Sequence, residues 1–129
     1  KAGKNGIAMS EDHSSVYVSE SRAQRLVSFT IDENGYLLDQ QLVRRFRDPG
    51  NPDGLAVDVE GNILQSLPGI RAIAYLNKDG TLIDLYHLPD WVPANLAFGG
   101  DDMRTVFVCG MAQNAVYQFR HPAAGVRLL

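Results

Sequence analysis

The chain has 129 residues, 45% hydrophobic and 21% charged, the composition of an ordinary folded protein and the length of about one domain. A formal charge of −3 and a pI near 5.5 offer no basic field to a polyanion, so no nucleic-acid partner is expected. The longest uncharged stretch, 105–119, is broken by Gly110, Gln113 and Asn114 and is too short to span a bilayer, so no membrane partner is expected either.

Along the chain, short alternating or apolar runs recur between turn signals, and no window of helical length carries a sustained apolar stripe. The pattern predicts an all-β protein. Strands are predicted over 6–9, 15–19, 25–31 and 41–46, then 54–59, 62–66, 71–77 and 81–87, and finally 94–99, 105–109, 115–119 and 125–129. Between the third and fourth strands of the first two groups lie "DENG" and "NKDG", each placing glycine where a hairpin needs positive φ.

The chain also resembles itself. Stacking "NGIAM", "DGLAV" and "ANLAF" aligns Ile7, Leu55 and Leu96, each followed by alanine, at offsets of 48 and 41 residues. A repeat of roughly 40–50 residues holding four short strands marks a β-propeller blade. Three blades are expected, at approximately 1–48, 49–91 and 92–129. Propellers typically close rings of about four to eight blades. The expectation is therefore that earlier blades are missing from this sequence, or that a second chain completes the ring. No signal segment is visible, the chain opens on Lys1, and the compartment stays open.

In the stacked repeats the position before the inner-strand glycine is Asn5 in the first blade, Asp53 in the second and Ala94 in the third. Inner strands line a propeller's channel, so these positions converge on its mouth. An amide oxygen and a carboxylate there would suit calcium, magnesium or manganese. Asn-Gly and Asp-Gly are equally good turn formers, so spacing alone leaves both meanings open. Ala94 would add no ligand.

Three motifs, "NGIAMSEDHSSVYVSES", "NPDGLAVDVEGNI" and "NLAFGGDDMRTVFV", occur in that order at blade spacing. Together they resemble the C-terminal half of the gluconolactonase family, also called the senescence marker protein 30 or regucalcin family. The resemblance covers nearly the whole chain and weakens after Phe119. It implies a six-bladed propeller that hydrolyses sugar lactones with one divalent metal, calcium foremost, with magnesium, manganese or zinc as the other candidates. It carries metal ligation to Asn5 and Asp53, and a general-base role to Asp53. The family's glutamate ligand, a further channel asparagine and a substrate-holding arginine belong to upstream blades, so these 129 residues alone are expected to be inactive. "NILQSLPGIRAIAYL" departs from the family's "NLWVA...GGRVVRY" pattern at Leu64 and Pro68, which bears on substrate identity more than on fold. Two rivals stand beside this reading. One is another calcium propeller hydrolase, an arylesterase or organophosphate hydrolase. The other is a non-catalytic NHL-type scaffold, which "PDGLAVDVEGN" also resembles.

Other residues are read as structural. Cys109, the single cysteine, lies in the apolar run "TVFVC" and is expected in the core. No G-x-S-x-G elbow occurs, and Ser19, Ser21 and Ser28 have no recognisable acid–base partner. His13, His87 and His121 are scattered and not expected as ligands, and Asp58, Asp101 and Asp102 are expected at turns or strand edges. Trp91 is assigned to loop packing rather than the channel rim, and Arg44, Arg45 and Arg47 to a solvated strand end.

Overall fold

Why each blade folds is clearest in its hairpins. In the first, Asp32 Oδ1 accepts from the Asn34 and Tyr36 amides at 2.9 and 2.8 Å, with Gly35 at φ 83°. In the second, Asn77 Oδ1 accepts from the Asp79 and Thr81 amides at 3.1 and 3.0 Å, with Gly80 at φ 86°. A short side-chain acceptor bends the chain and glycine takes the left-handed position, as the two sequence signals require.

The computed structural model describes residues 1–128 and, among them, eleven strands. They are β1 (Lys4–Met9), β2 (Ser15–Glu20), β3 (Arg25–Ile31), β4 (Leu37–Arg45), β5 (Leu55–Val57), β6 (Ile63–Leu67), β7 (Ala72–Leu76), β8 (Leu82–His87), β9 (Pro93–Gly99), β10 (Thr105–Gly110) and β11 (Ala115–Arg120). Every pairing is antiparallel between chain neighbours, giving two four-stranded sheets, β1–β4 and β5–β8, and a three-stranded sheet, β9–β11. A turn of 3-10 helix, Pro68–Ile70, interrupts the β6–β7 connection where the sequence inserts Pro68. The innermost strands β1, β5 and β9 lie side by side, so the sheets stand as blades around a common channel.

The core lies between blades. Residues of β6 and β7 are buried on both faces, because this blade is covered on each side. One face carries Ile63, Leu67, Ala74 and Leu76 against Tyr17 and Leu26 of the first blade. The other carries Leu64, Ile73 and Tyr75 against Leu96, Val106 and Val108 of the third. Fully burying each such leucine, isoleucine or valine contributes about 1.5–3 kcal/mol, which is what fastens blade to blade.

Two sequence expectations are corrected. The segment 125–129 was predicted as a fourth strand of the last blade, and its end, Leu129, lies outside the described residues. What precedes it turns back onto the second blade: Gly125 bridges Asp58, the Val59 amide donates to Ala124 O at 2.8 Å, and the Val126 amide to Val57 O at 3.0 Å. Pro122 has no amide to extend a sheet, and Gly125 fits only because it lacks a Cβ, which would sit 2.0 Å from Phe98 Cγ. The second correction is Cys109, which is exposed. Alternation in β10 sends Val106 and Val108 inward to the second blade, and so turns Phe107 and Cys109 the opposite way.

Candidate functional site

Asn5 is the second residue of β1, Asp53 precedes β5 and Asn95 lies near the start of β9; together they line a concavity of about 250 Å³ at the mouth of the channel. Beneath it, a cavity of about 450 Å³ is walled by Ile7, Met9, Leu55, Leu96 and Phe98. A few polar groups over a mostly apolar hollow is the usual composition of a small-molecule site.

Glycine lets the inner strands converge. A Cβ on Gly6 would lie 2.3 Å from Asp53 O, and one on Gly54 would lie 2.2 Å from Asn95 Oδ1. Neither glycine has positive φ, so both are needed for close approach rather than for a turn.

Buried polar side chains then clamp the Asp53 backbone. Ser19 Oγ accepts from the Gly6 amide at 2.7 Å and donates to Asp53 O at 2.5 Å, tying the first blade to the second. Gln65 Nε2 donates to both Asp53 O and Gly54 O at 3.1 Å. The Asp53 amide donates to Ser66 O at 3.1 Å, and Ser66 Oγ to Ala94 O at 2.7 Å. Asn5 Nδ2 donates to Ser21 Oγ at 3.2 Å, and that hydroxyl donates to Pro52 O at 2.6 Å. Ser19 and Ser21 are thus braces rather than nucleophiles, and Ser19, Gln65 and Ser66 are fully buried. Sequence reading missed this bracing because the polar residues sit within strands and their partners are distant in sequence, those of Ser19, Ser21 and Ser66 lying in the next blade.

Burial pushes the Asp53 carboxyl above the usual carboxylate range, and the nearby Asn5 side-chain amide offsets that only in part. No lysine, arginine or histidine lines the concavity. Among the described residues no three histidine, cysteine, aspartate or glutamate side chains cluster as a ready metal site. The donors here are instead one carboxylate and side-chain amides, hard oxygens suited to a divalent cation. A partly desolvated carboxylate lacking a cationic partner fits such an ion. It would be part of a ligand set, since calcium takes about six to eight oxygens.

Other expected features fall elsewhere. Ala94 was expected in phase with Asp53, but Asn95 takes the place in the concavity. Trp91 is outside it, with the Arg71 guanidinium 3.9 Å from its ring centroid, in keeping with loop packing. Arg44 donates to Gly80 O at 2.7 Å, tying the end of the first blade to the second blade's hairpin, while Arg45 and Arg47 are exposed. Asp102 is at a turn, as expected, and its carboxyl is held at about 2 by Arg120 hydrogen bonds. Asp58 is at the turn after β5, as expected, where it accepts from the Glu60 and Asn62 amides, but it is also buried against His121, whose Nε2 lies 2.9 Å from Asp58 Oδ2.

Residues 2–112 match the family described as the SMP-30/Gluconolactonase/LRE-like region. The chain is 33% identical over 112 residues to 6-deoxy-6-sulfogluconolactonase of Pseudomonas putida, covering 85% of this chain and 38% of that protein. It is 30% identical over 113 residues to gluconolactonase of Zymomonas mobilis, covering 81% and 31%. In fold it superposes on the calcium-binding protein regucalcin from Agrobacterium tumefaciens with a TM-score of 0.81 at 20% identity, over 97% of this chain and 50% of that one. The chain therefore belongs to the SMP-30/gluconolactonase family, has its propeller fold, and spans between about a third and a half of these relatives.

Proposed function

We propose that this chain supplies part of the active site of a metal-dependent sugar lactonase, in which Asn5 and Asp53 hold a divalent cation and Asp53 is the general base. The observation that carries the reading is the half-buried Asp53 carboxylate set beside Asn5 and over an apolar hollow, with Arg22 in an adjoining concavity but not ion-paired to it among the described residues. Membership of a family with named lactonases supports the choice of substrate class. Calcium is the proposed ion, with magnesium, manganese and zinc as the other candidates. When bound, such an ion polarises the lactone carbonyl and favours the oxyanion formed on attack.

The chain's own residues do the rest. Asn5 offers its amide oxygen, since Nδ2 is engaged with Ser21, and Asp53 offers one carboxylate oxygen. The second Asp53 oxygen takes a proton from the attacking water as that water's oxygen bonds to the carbonyl carbon. The bond from that carbon to the ring oxygen then breaks, the proton passes to the departing alkoxide, and an aldonic acid results. Coordination lowers the carboxylate's basicity, and the burial seen here acts against that loss. The remaining ligands and a closed ring would come from further blades or from a second chain.

The test is chelation of the full-length protein assayed on a panel of aldonolactones, aryl esters and organophosphates. Lactone hydrolysis should disappear with chelator and return with calcium or manganese. Full activity in metal-free buffer would remove the metal role, and preference for aryl esters or organophosphates would move the enzyme to a neighbouring hydrolase class.

A further inference from the structure

Asn95 is the third polar side chain at the channel mouth, and nothing so far gives it work. Its position is closely defined. Ala94 O, immediately before it, accepts from the Gly54 amide at 2.8 Å and from Ser66 Oγ at 2.7 Å, so the backbone entering Asn95 is clamped to the second blade. Gly54 leaves room for it, since a Cβ there would lie 2.7 Å from Asn95 Cα as well as against Oδ1. The side chain is exposed in the concavity it shares with Asn5 and Asp53.

Its own hydrogen bonds show which end of the amide is available. Oδ1 accepts from the Leu96 amide at 2.9 Å, a contact with the next residue that ties no blade to another. The Nδ2 group makes no hydrogen bond with the described residues and is left as a donor over the concavity. A cation needs oxygen donors, whereas an N–H donor matches a substrate oxygen. We infer that Asn95 binds the substrate directly, donating from Nδ2 to an oxygen of the sugar lactone held over Asp53, and is not a ligand of the cation. The inference rests on the lactonase reading and adds to it a specificity residue from the third blade.

The experiment uses the full-length protein with Asn95→Ala and the isosteric Asn95→Asp, with melting curves to confirm folding. Two readouts are taken: steady-state kinetics on glucono-1,5-lactone and related aldonolactones, and calorimetric titration with calcium or manganese in the absence of lactone. Asn95→Ala should raise KM about tenfold, the size of one lost hydrogen bond to a substrate. It should leave kcat and cation affinity within about threefold, a margin small beside that tenfold effect. Asn95→Asp, which cannot donate when ionised, should raise KM at least as far without weakening the cation. A tenfold loss of cation affinity in Asn95→Ala would make Asn95 a metal ligand and overturn the inference. An active parent whose KM is unmoved by both substitutions would overturn it alone. A parent that hydrolyses no aldonolactone would overturn the lactonase reading and this assignment with it.

Discussion

His121 Nε2 stands 2.9 Å from Asp58 Oδ2 with both side chains sealed from solvent, joining the segment after β11 to the end of β5, 63 residues away. Asp58 also accepts from the Glu60 amide at 3.0 Å and from Asn62 through its amide at 2.9 Å and Nδ2 at 3.1 Å. With those donors on a carboxylate, His121 must give it the Nε2 proton. Its Nδ1 is buried with no partner, so the neutral Nε2–H tautomer avoids stranding a second donor. Tyr75 packs edge-on to the imidazole at 4.6 Å and Phe98 at 5.5 Å, so the pair is held by all its surroundings. The pair pins the third blade to the second behind the channel wall.

Removing either partner should therefore be costly. His121→Ala leaves a buried carboxylate without its main side-chain donor and should lower stability by about 3 kcal/mol, read from urea unfolding. The double variant with Asp58→Ala should cost less than the two single changes added together, because the buried charge goes with its donor. Additive losses would show that the two side chains act independently.

Acid should loosen the same joint. Burial alone would raise the Asp58 carboxyl, but hydrogen bonds from His121, Asn62 and two backbone amides outweigh it and hold it below the ordinary range. A carboxyl depressed on folding contributes stability that is present above its unfolded value of about 3.9 and is lost as pH falls toward its folded value. Asp12, Asp79, Asp90 and Asp102 shift in the same direction, so the comparison must be differential. The urea midpoint of the wild type should drop more between pH 5 and pH 3 than that of Asp58→Asn. Equal drops would remove Asp58 from the acid limb.

Much of this architecture was legible in the sequence. The hairpins at Gly35 and Gly80 announced themselves through local turn chemistry, and Asn5 and Asp53 through a repeat whose phase matches the first two blades. Asn95 was missed for a physical reason. The β9–β10 register slips so that Cys109 pairs with Asn95 and Gly110 with Pro93, leaving Ala94 as the extra residue of a bulge. A one-residue bulge moves the polar position by one, and simple stacking then puts Ala94 where Asn95 belongs. The Asp58–His121 pair left no local signal at all, because nothing near "HPAAG" specifies contact with a residue one blade away.

Glycines in this chain should fail by two different routes. Gly54→Ala places a methyl 2.2 Å from Asn95 Oδ1 and 2.7 Å from its Cα, so the inner strands must part. It should cost about 1–3 kcal/mol and also raise KM. Gly35→Ala meets nothing within 4 Å but must adopt φ 83°, so it should cost about 1 kcal/mol and leave KM alone. Denaturation and kinetics on both variants separate crowding at the site from strain in a remote turn.

Asp53 and Asp58 offer a second paired contrast, five positions apart and each preceding or ending β5. Asp53→Asn retains shape and one oxygen but removes charge and base, so lactone turnover should fall by at least about two orders of magnitude. Asp58→Asn should reduce stability while leaving the rate per folded molecule near that of the parent, because Asp58 is buried away from the concavity. Equal kinetic losses per folded molecule would return Asp53 to the role of a turn residue.

The last expectation concerns the outer faces of the first and third blades. Leu37 and Leu42 are exposed on β4, paired with Ile31 and Val27, and Phe107 and Val116 on the third blade, each about 38–69% accessible. Such residues are normally covered by a neighbouring blade, and stacked repeats with bare ends tend to self-associate. The 129 residues alone should therefore sediment as oligomers and show no lactonase activity, since the two proposed ligands, Asn5 and Asp53, fall short of a full calcium shell. Cys109 reports on the same face: exposed opposite Val106 and Val108, it should react readily with a thiol reagent in the isolated chain. Pairing with further blades, where the full-length protein supplies them, should slow that reaction as lactonase activity appears. Protection without activity would mean a closed ring with an incomplete ligand set, and a stable, active monomer with an unprotected Cys109 would show that no further blade is needed.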